Sequence, residues 1–133
     1  MKVSISSLVS EACPGMQAGI IKASVINSET SDALWDELQA EAARIAATYA
    51  TDTLSKRPAI AGTRQAYKTF GKDPARYRVS SEALCRRAIR GLDLYRINTL
   101  VDLINVVSMR SGYSIGGFDA DRIEGDMTLG VGT

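Results

Sequence analysis

The sequence contains no histidine and only two cysteines. The missing histidine excludes Ser-His-Asp and Cys-His nucleophile systems and the common zinc sites that use imidazole. Cys13 and Cys85 are far apart and lack the spacing of a metal or disulfide framework. Any chemistry must therefore use carboxylates, hydroxyls, amides, backbone groups or the substrate itself, and we expect neither a metal nor a cofactor.

Long apolar runs are missing as well. No run approaches the ~18 residues that span a bilayer. Within Met1–Ile5 the apolar residues alternate with lysine and serine, so this segment does not resemble a signal peptide. We therefore expect a cytoplasmic protein with no membrane partner. The 133 residues, 45% of them hydrophobic and 23% charged, are typical of a globular protein, and we expect residues 1–133 to lie in a single domain.

Charge is unevenly distributed along the chain, although the net charge is only +1. Residues 56–96, here called the basic segment, hold eleven basic and three acidic side chains, whereas the flanking segments are both acidic. A block of this kind attracts polyanions. The alternative is a solvated helical surface whose charges pair with the acidic flanks.

Apolar spacing predicts strands at both ends of the chain and helices between them. Strands are predicted around Val3–Ile5, over 21–25, over 114–123 and over 127–131, with turns at Pro14-Gly15 and at 124–126. A first helix is predicted over 34–49, with a solvated face that carries Asp36, Glu37 and Glu41. Two more are predicted from Pro58 to Gly71 and from a Ser80 cap to Gly91. A fourth is predicted over 99–111, capped by Asn98 and ended by Gly112. The last helix is apolar nearly all round, which is typical of a buried helix.

This order indicates an α+β fold with a mixed sheet and a helical middle. The sequence stops within a strand-rich region, where a sheet edge would be open. We therefore expect residues 1–133 to be the N-terminal part of a module, completed by a missing C-terminal half or covered by self-association.

Asn105 is the most informative polar residue of the apolar helix, because an unpaired buried amide costs ~1–3 kcal/mol. It serves either as a structural tie or as a ligand contact. Asp102 lies on nearly the same face and either orients water or, more simply, pairs with Arg96 or Arg110. Gly116 and Gly117 allow close backbone approach, either at a pocket wall or in packing. Asp119 and Asp121 suit turn and cap hydrogen bonds better than a metal.

The basic segment also suits RNA, since guanidinium groups bind phosphate and exposed tyrosines can stack on unpaired bases. Tyr67, Tyr77 and Tyr95 are the stacking candidates, although tyrosines at helical spacing are more often core residues. The predicted RNA-binding residues are Lys68, Lys72, Arg76, Arg78, Arg86, Arg87 and Arg90, with the last three on the outward side of their helix.

Two sequence blocks carry a family resemblance. Residues 67–78 read YKTFGKDPARYR and continue into SSEALCRR from residue 80. Residues 97–107 read INTLVDLINVV, and residues 115–125 read IGGFDADRIEG. In this order and spacing, residues 57–130 resemble the B3/4-type editing domain of the phenylalanyl-tRNA synthetase beta subunit, and most of all the free-standing bacterial proteins built from that domain.

The resemblance implies a mixed α/β module whose synthetase version hydrolyses tyrosine wrongly attached to phenylalanine tRNA. It also implies a pocket with a threonine-asparagine pair late in the apolar helix and a histidine in the following strand. Here Asn105 keeps the asparagine, whereas Ile104 replaces the threonine and Gly116 replaces the histidine. The pocket residues implied or favoured are Asp102, Ile104, Asn105, Gly116 and Gly117.

Two functions follow as hypotheses, with tRNA or aminoacyl-tRNA as the partner. The first is a tRNA-directed module that hydrolyses mischarged aminoacyl-tRNA, with the substrate's own ribose hydroxyl carrying the proton because histidine is absent. The second is a non-catalytic domain that binds RNA or an amino acid and has lost the editing chemistry.

Overall fold

A computed structural model describes residues 1–132. Two strands and five helices follow one another in the order β1 (Val3–Ile5), α1 (Ser7–Ala12), α2 (Asp32–Thr48), α3 (Pro58–Thr69), α4 (Ser80–Ile89), α5 (Thr99–Ser111) and β2 (Met127–Leu129). Short 3-10 turns occupy Leu54–Lys56 and Ala120–Arg122. The predicted α+β class and the helical middle are confirmed. No helix among these residues combines the length and apolar character needed to cross a membrane.

The sheet is smaller than predicted. Within residues 1–132 it consists of β1 and β2 alone, paired in parallel with Val3 opposite Met127 and Ile5 opposite Leu129. The predicted mixed sheet is therefore wrong for the described part of the chain. Residues 21–25 form no strand, and Ile21 is 95% exposed. Their alternating pattern favours a strand only where a neighbouring strand supplies hydrogen bonds, and none lies beside them in residues 1–132.

The predicted strand over 114–123 is also wrong. These residues are irregular up to the 3-10 turn, in which Asp119 Oδ1 accepts a hydrogen bond from the N–H of Asp121 at 3.1 Å. Gly116 and Gly117, together with this capped turn, break the run of apolar residues that suggested a strand. The cap bond predicted for Asp119 is confirmed.

Four helices, α2 to α5, match their predicted positions closely, whereas the six-residue α1 was not predicted. Side-chain caps fix the starts of α2 and α5. Asn98 Oδ1 accepts a hydrogen bond from the N–H of Val101 at 3.0 Å, and Ser31 caps α2 in the same way. Gly112 ends α5 with φ of 80°, a left-handed conformation that favours glycine. One cap differs: α4 is preceded by Val79, and Ser80 is its first residue and not its cap.

The core lies where α2, α4 and α5 pack together. Leu38 and Ile45 of α2, Cys85 of α4 and Val106 and Met109 of α5 are all buried in one cluster. Helix α5 is not buried all round, however, because Leu103 is 47% and Val107 is 45% exposed. The solvated face predicted for α2 is wrong at one position: Glu41 is buried.

Candidate arginine cleft

Helix α4 and the residues on either side of it form one wall of an open cleft of about 470 Å³. Asn105 of α5 also lines this cleft. The lining residues are Arg78, Ser80, Ala83, Leu84, Arg86, Arg87, Arg90, Leu92 and Asn105. The fold therefore brings the arginines of the basic segment and the asparagine of the apolar helix, which were separate candidates in the sequence, to a single site.

Three of the four arginines in the cleft have no acidic partner in the described part of the chain. Arg78, Arg87 and Arg90 form no ion pair with any carboxylate of residues 1–132. Pairing with the acidic flanks, the alternative explanation of the basic segment, holds elsewhere: Arg96 pairs with Asp32 at 2.8 Å. The charge of these three arginines remains available to an anion in the cleft.

Arg86 is the exception, and it was wrongly expected on the outward side of its helix. Its side chain is 13% exposed, and its Nε donates to Glu82 Oε1 at 2.9 Å. Arg64 donates to the same oxygen at 2.8 Å. Glu82 is fully buried, and its Oε2 has no hydrogen-bond partner among residues 1–132. The ion pair with buried Glu82 holds the Arg86 side chain in place, because separating the two groups would leave an uncompensated charge in the interior.

Arg87 is held from a different direction. Its Nε donates to the backbone carbonyl of Asp93 at 2.5 Å, and its guanidinium lies 4.7 Å from the ring centroid of Tyr95. Neither of its terminal nitrogens hydrogen-bonds to any other part of the described chain. The group is therefore oriented and still has donors to offer.

Asn105 is half-buried, and its side-chain amide makes no hydrogen bond within the described residues. It lines the cleft, so its donors and acceptors can meet a ligand or water there. The sequence suggested a fully apolar setting for this residue. The structure instead places it at the side of α5 that faces the arginines.

The other predicted pocket residues lie outside this lining. Ile104 Cδ1 would be 3.4 Å from a Cβ on Gly117, so these two residues are neighbours. A Cβ on Gly116 would meet the ring of Phe118 at 3.1 Å. Gly116 and Gly117 thus lie beside α5 and Phe118, and the structure does not bring them into the arginine cleft.

Asp102 is fully buried and also lies outside the cleft. It accepts hydrogen bonds from the Thr30 hydroxyl and, at 3.1 Å, from the N–H of Ile97. The predicted pairing with Arg96 or Arg110 is wrong, because those residues pair with carboxylates of α2. Asp102 therefore joins the start of α5 to the chain that precedes α2.

The remaining predicted RNA-binding residues are Lys68, Lys72 and Arg76, and they do not line the cleft either. Lys72 and Arg76 approach the Tyr77 ring, with distances to its centroid of 5.9 and 5.4 Å. Tyr77 is 46% exposed and directly precedes Arg78 of the cleft. Lys72 and Arg76 therefore form a second basic patch around Tyr77.

Sequence reasoning missed the apolar part of the lining, which is supplied by Ala83, Leu84 and Leu92. Leu92 was detectable as an apolar residue in a loop, directly after the glycine that ends α4. Leu84 packs against the core and also borders the cleft.

The cleft offers donors but no base. Its lining supplies guanidinium groups, the Asn105 amide and the Ser80 hydroxyl, and it includes no carboxylate or thiol among the described residues. Cys85 is fully buried, and burial raises the pKa of its thiol, which keeps it protonated. No cluster of three or more metal-ligating side chains occurs in residues 1–132. The arrangement can bind an anion and polarise a carbonyl group.

Fold and cleft together define a small, helix-rich α+β module with a surface suited to anions. A family model for the B3/4 domain matches residues 62–133, just over half of the sequence. The chain belongs to this family, whose domain is found in the phenylalanyl-tRNA synthetase beta subunit. No curated protein and no solved structure matches the chain significantly.

Proposed function

We propose that this protein is a tRNA-directed module whose arginine cleft binds the phosphate backbone of tRNA or aminoacyl-tRNA. The observation that carries the proposal is a group of three arginines around one cleft that have no carboxylate partner within residues 1–132: Arg78, Arg87 and Arg90. Membership of a family found in a tRNA synthetase subunit supports RNA as the anion. A protein with this function would work in the cytoplasm.

Salt dependence and charge reversal test the proposal. Binding of tRNA should weaken by roughly 0.9 log units per log unit of salt for each duplex phosphate neutralised. Replacing Arg78, Arg87 and Arg90 with glutamate should abolish binding. Arg86 is left intact, because a glutamate there would lie beside the buried Glu82 and unfold the protein.

A matched control makes the same change in charge elsewhere. Lys22, Lys56 and Arg122 are exposed and lie outside the cleft lining, and their replacement with glutamate should weaken binding far less. Binding that is independent of salt, or equal loss in both triple variants, would contradict a role for the cleft.

Hydrolysis of a mischarged aminoacyl ester is the second candidate function. The position of Asn105 in the cleft favours it, because the amide can contact an aminoacyl group while the arginines hold the RNA. Since the cleft contains no base, the ribose hydroxyl of the substrate would have to carry the proton. A module that binds RNA or an amino acid without hydrolysing an ester needs neither a base nor a proton carrier.

Asn105→Leu separates the two candidates, since it removes the amide at nearly constant volume. If the protein is a hydrolase, deacylation of mischarged tRNA should fall at least about tenfold, or about 1.4 kcal/mol of transition-state stabilisation. Affinity for tRNA should persist, because the phosphate contacts come from arginine. If the wild-type protein releases no amino acid from mischarged tRNAs, hydrolysis is excluded and the binding function stands.

A further inference from the structure

Tyr95 is an unusual feature of the surface next to the cleft. Its side chain lies in the irregular segment between α4 and α5, and the residue is 68% exposed. One face of its ring is covered by the guanidinium of Arg87, whose carbon lies 4.7 Å from the ring centroid. Because Arg87 also lines the cleft, it links the arginine cleft to an exposed aromatic ring.

The position of Arg87 is fixed by more than the ring. The 2.5 Å hydrogen bond from its Nε to the Asp93 carbonyl sets the plane of the guanidinium. Its terminal nitrogens remain free to bind a phosphate within the described structure. A phosphate at Arg87 would therefore lie beside an aromatic surface large enough for a nucleobase.

We propose that Tyr95 and Arg87 form a site for one unpaired nucleotide, with the base stacked on the Tyr95 ring and its phosphate bound by Arg87, so that the cleft prefers single-stranded RNA to duplex. This inference rests on the proposed RNA-binding function and adds the strandedness of the ligand. A base inside a duplex has both faces occupied by its neighbours, whereas an unpaired base can stack on a side chain.

The other tyrosines do not combine an exposed ring with an arginine of the cleft. Tyr77 is 46% exposed, but the cations over its ring, Lys72 and Arg76, do not line the cleft. Tyr67 is half-buried within α3. Tyr113 is 65% exposed, but no cation lies over its ring in residues 1–132 and it does not line the cleft. Tyr113 is therefore a matched control, with nearly the same exposure as Tyr95 and without the arginine.

The test uses the full 133-residue chain and single-stranded oligoribonucleotides that carry the fluorescent base 2-aminopurine at each position in turn. Stacking on an aromatic ring quenches this fluorophore. At saturating protein, the degree of quenching does not depend on overall affinity, so it reports the stacking itself. In the wild-type protein we expect quenching at one preferred position. Tyr95→Phe should keep the quenching, Tyr95→Ala should remove it, and Tyr113→Ala should leave it unchanged.

Affinities measured alongside give the second readout. Tyr95→Ala should weaken single-stranded binding by about fivefold or more, the effect of losing one base–aromatic stack. Duplex binding should not change, because it depends on phosphate contacts.

Two failures can be told apart. If Tyr95→Ala quenches and binds as the wild type does, while the triple arginine reversal still abolishes binding, the stacking site is wrong and the RNA-binding function survives. If the wild-type protein binds neither strand form, both proposals are overturned.

Discussion

Gly112 and Gly62 differ in what an added methyl group would meet. Gly112 has φ of 80°, and a Cβ there would lie 3.0 Å from Arg57 Nε and 3.1 Å from Ala59 Cβ. Arg57 itself caps α5, since its guanidinium donates to the carbonyls of Met109 and Arg110 at 2.6 Å each. Gly62 lies within α3 and has nothing within 4 Å of its Cβ position.

The same substitution should therefore have opposite effects at these two glycines. Gly112→Ala should lower the free energy of unfolding by at least about 1 kcal/mol, because it strains the backbone and displaces Arg57. Gly62→Ala should raise it by up to about 1 kcal/mol, the difference in helix propensity. Denaturant titration of both variants measures these changes. Equal effects of the two substitutions would show that Gly112 is not required for its conformation.

Residue type and spacing identified Asn105 and the arginines, but not their surroundings. Arg86 lies four residues after Glu82, a spacing that allows an ion pair, whereas Arg87 does not, and both arginines border the cleft. The sequence does not show that Glu82 is buried, because its burial comes from packing of α4 against the rest of the fold. Sequence spacing could indicate which residues share a helix face, but not which face opens onto a cleft.

At the level of elements, an ion cluster joins α2 to α5. Glu41 of α2 accepts hydrogen bonds from Arg44 and, at 3.3 Å, from Arg110 of α5. Burial opposes ionisation of Glu41, but the hydrogen bonds and charges of Arg44 and Arg110 outweigh it, and the pKa of Glu41 falls below its ordinary value of 4.5. The spacing of three from Leu38 was the signal in the sequence that places Glu41 on the inner face of α2.

The lowered pKa of Glu41 makes the stability of the fold depend on pH, and the direction of this dependence can be stated. A carboxyl group with a lower pKa in the folded state stabilises the fold above its unfolded pKa, and this contribution is lost as the pH falls through the folded value. Glu41→Gln should therefore lower the melting temperature at neutral pH and reduce the loss of stability below pH 4.5.

Asp36→Asn on the exposed face of α2 is the control, because Asp36 has no ion pair within residues 1–132. Thermal unfolding across this pH range compares the two variants. An Asp36→Asn profile identical to that of Glu41→Gln would indicate general charge effects instead of the cluster.

Helix α1, of only six residues, was missed. Helices α2 to α5 were predictable because local signals specify them: a stripe of apolar residues in each, a side-chain cap before α2 and α5, and a glycine just after α3, α4 and α5. The sheet was not, because β1 and β2 lie 124 residues apart, as in the pairing of Ser4 with Thr128. Alternation alone cannot identify such a distant partner, and it assigned strands to 21–25 and 114–123, where no partner is present in the described chain. The apolar character of α5 indicated burial without showing that Leu103 and Val107 would stay exposed.

For the molecule as a whole, the charge segregation seen in the sequence persists after folding as a cleft in which three arginines have no carboxylate partner within residues 1–132. Folding also leaves an apolar segment of the chain exposed. Residues 17–26, here called the arm, form no backbone hydrogen bond within the described chain, although Met16 and Ser28 on either side of it do. Ile21 and Ile26 are each 95% exposed, and the two-stranded sheet has open edges.

Exposed isoleucines that contribute nothing to the core should be replaceable. The double variant Ile21→Ser with Ile26→Ser should unfold at the wild-type temperature, because neither side chain loses burial. It should also associate less as concentration rises, since apolar surface on an unpaired arm promotes contact between molecules. Sedimentation velocity at increasing protein concentration measures this difference.

The contrast with a buried isoleucine completes the test. Ile45 is fully buried in the core, so Ile45→Ser should cost about 3 kcal/mol or more and destroy cooperative unfolding in a domain of this size. If the double arm variant also lost stability, the arm would have to pack onto the fold in solution. If the wild-type protein stayed monomeric at every concentration, exposure of the arm would not drive association. An unchanged melting temperature with weaker association would mark the arm as a surface that this fold leaves open.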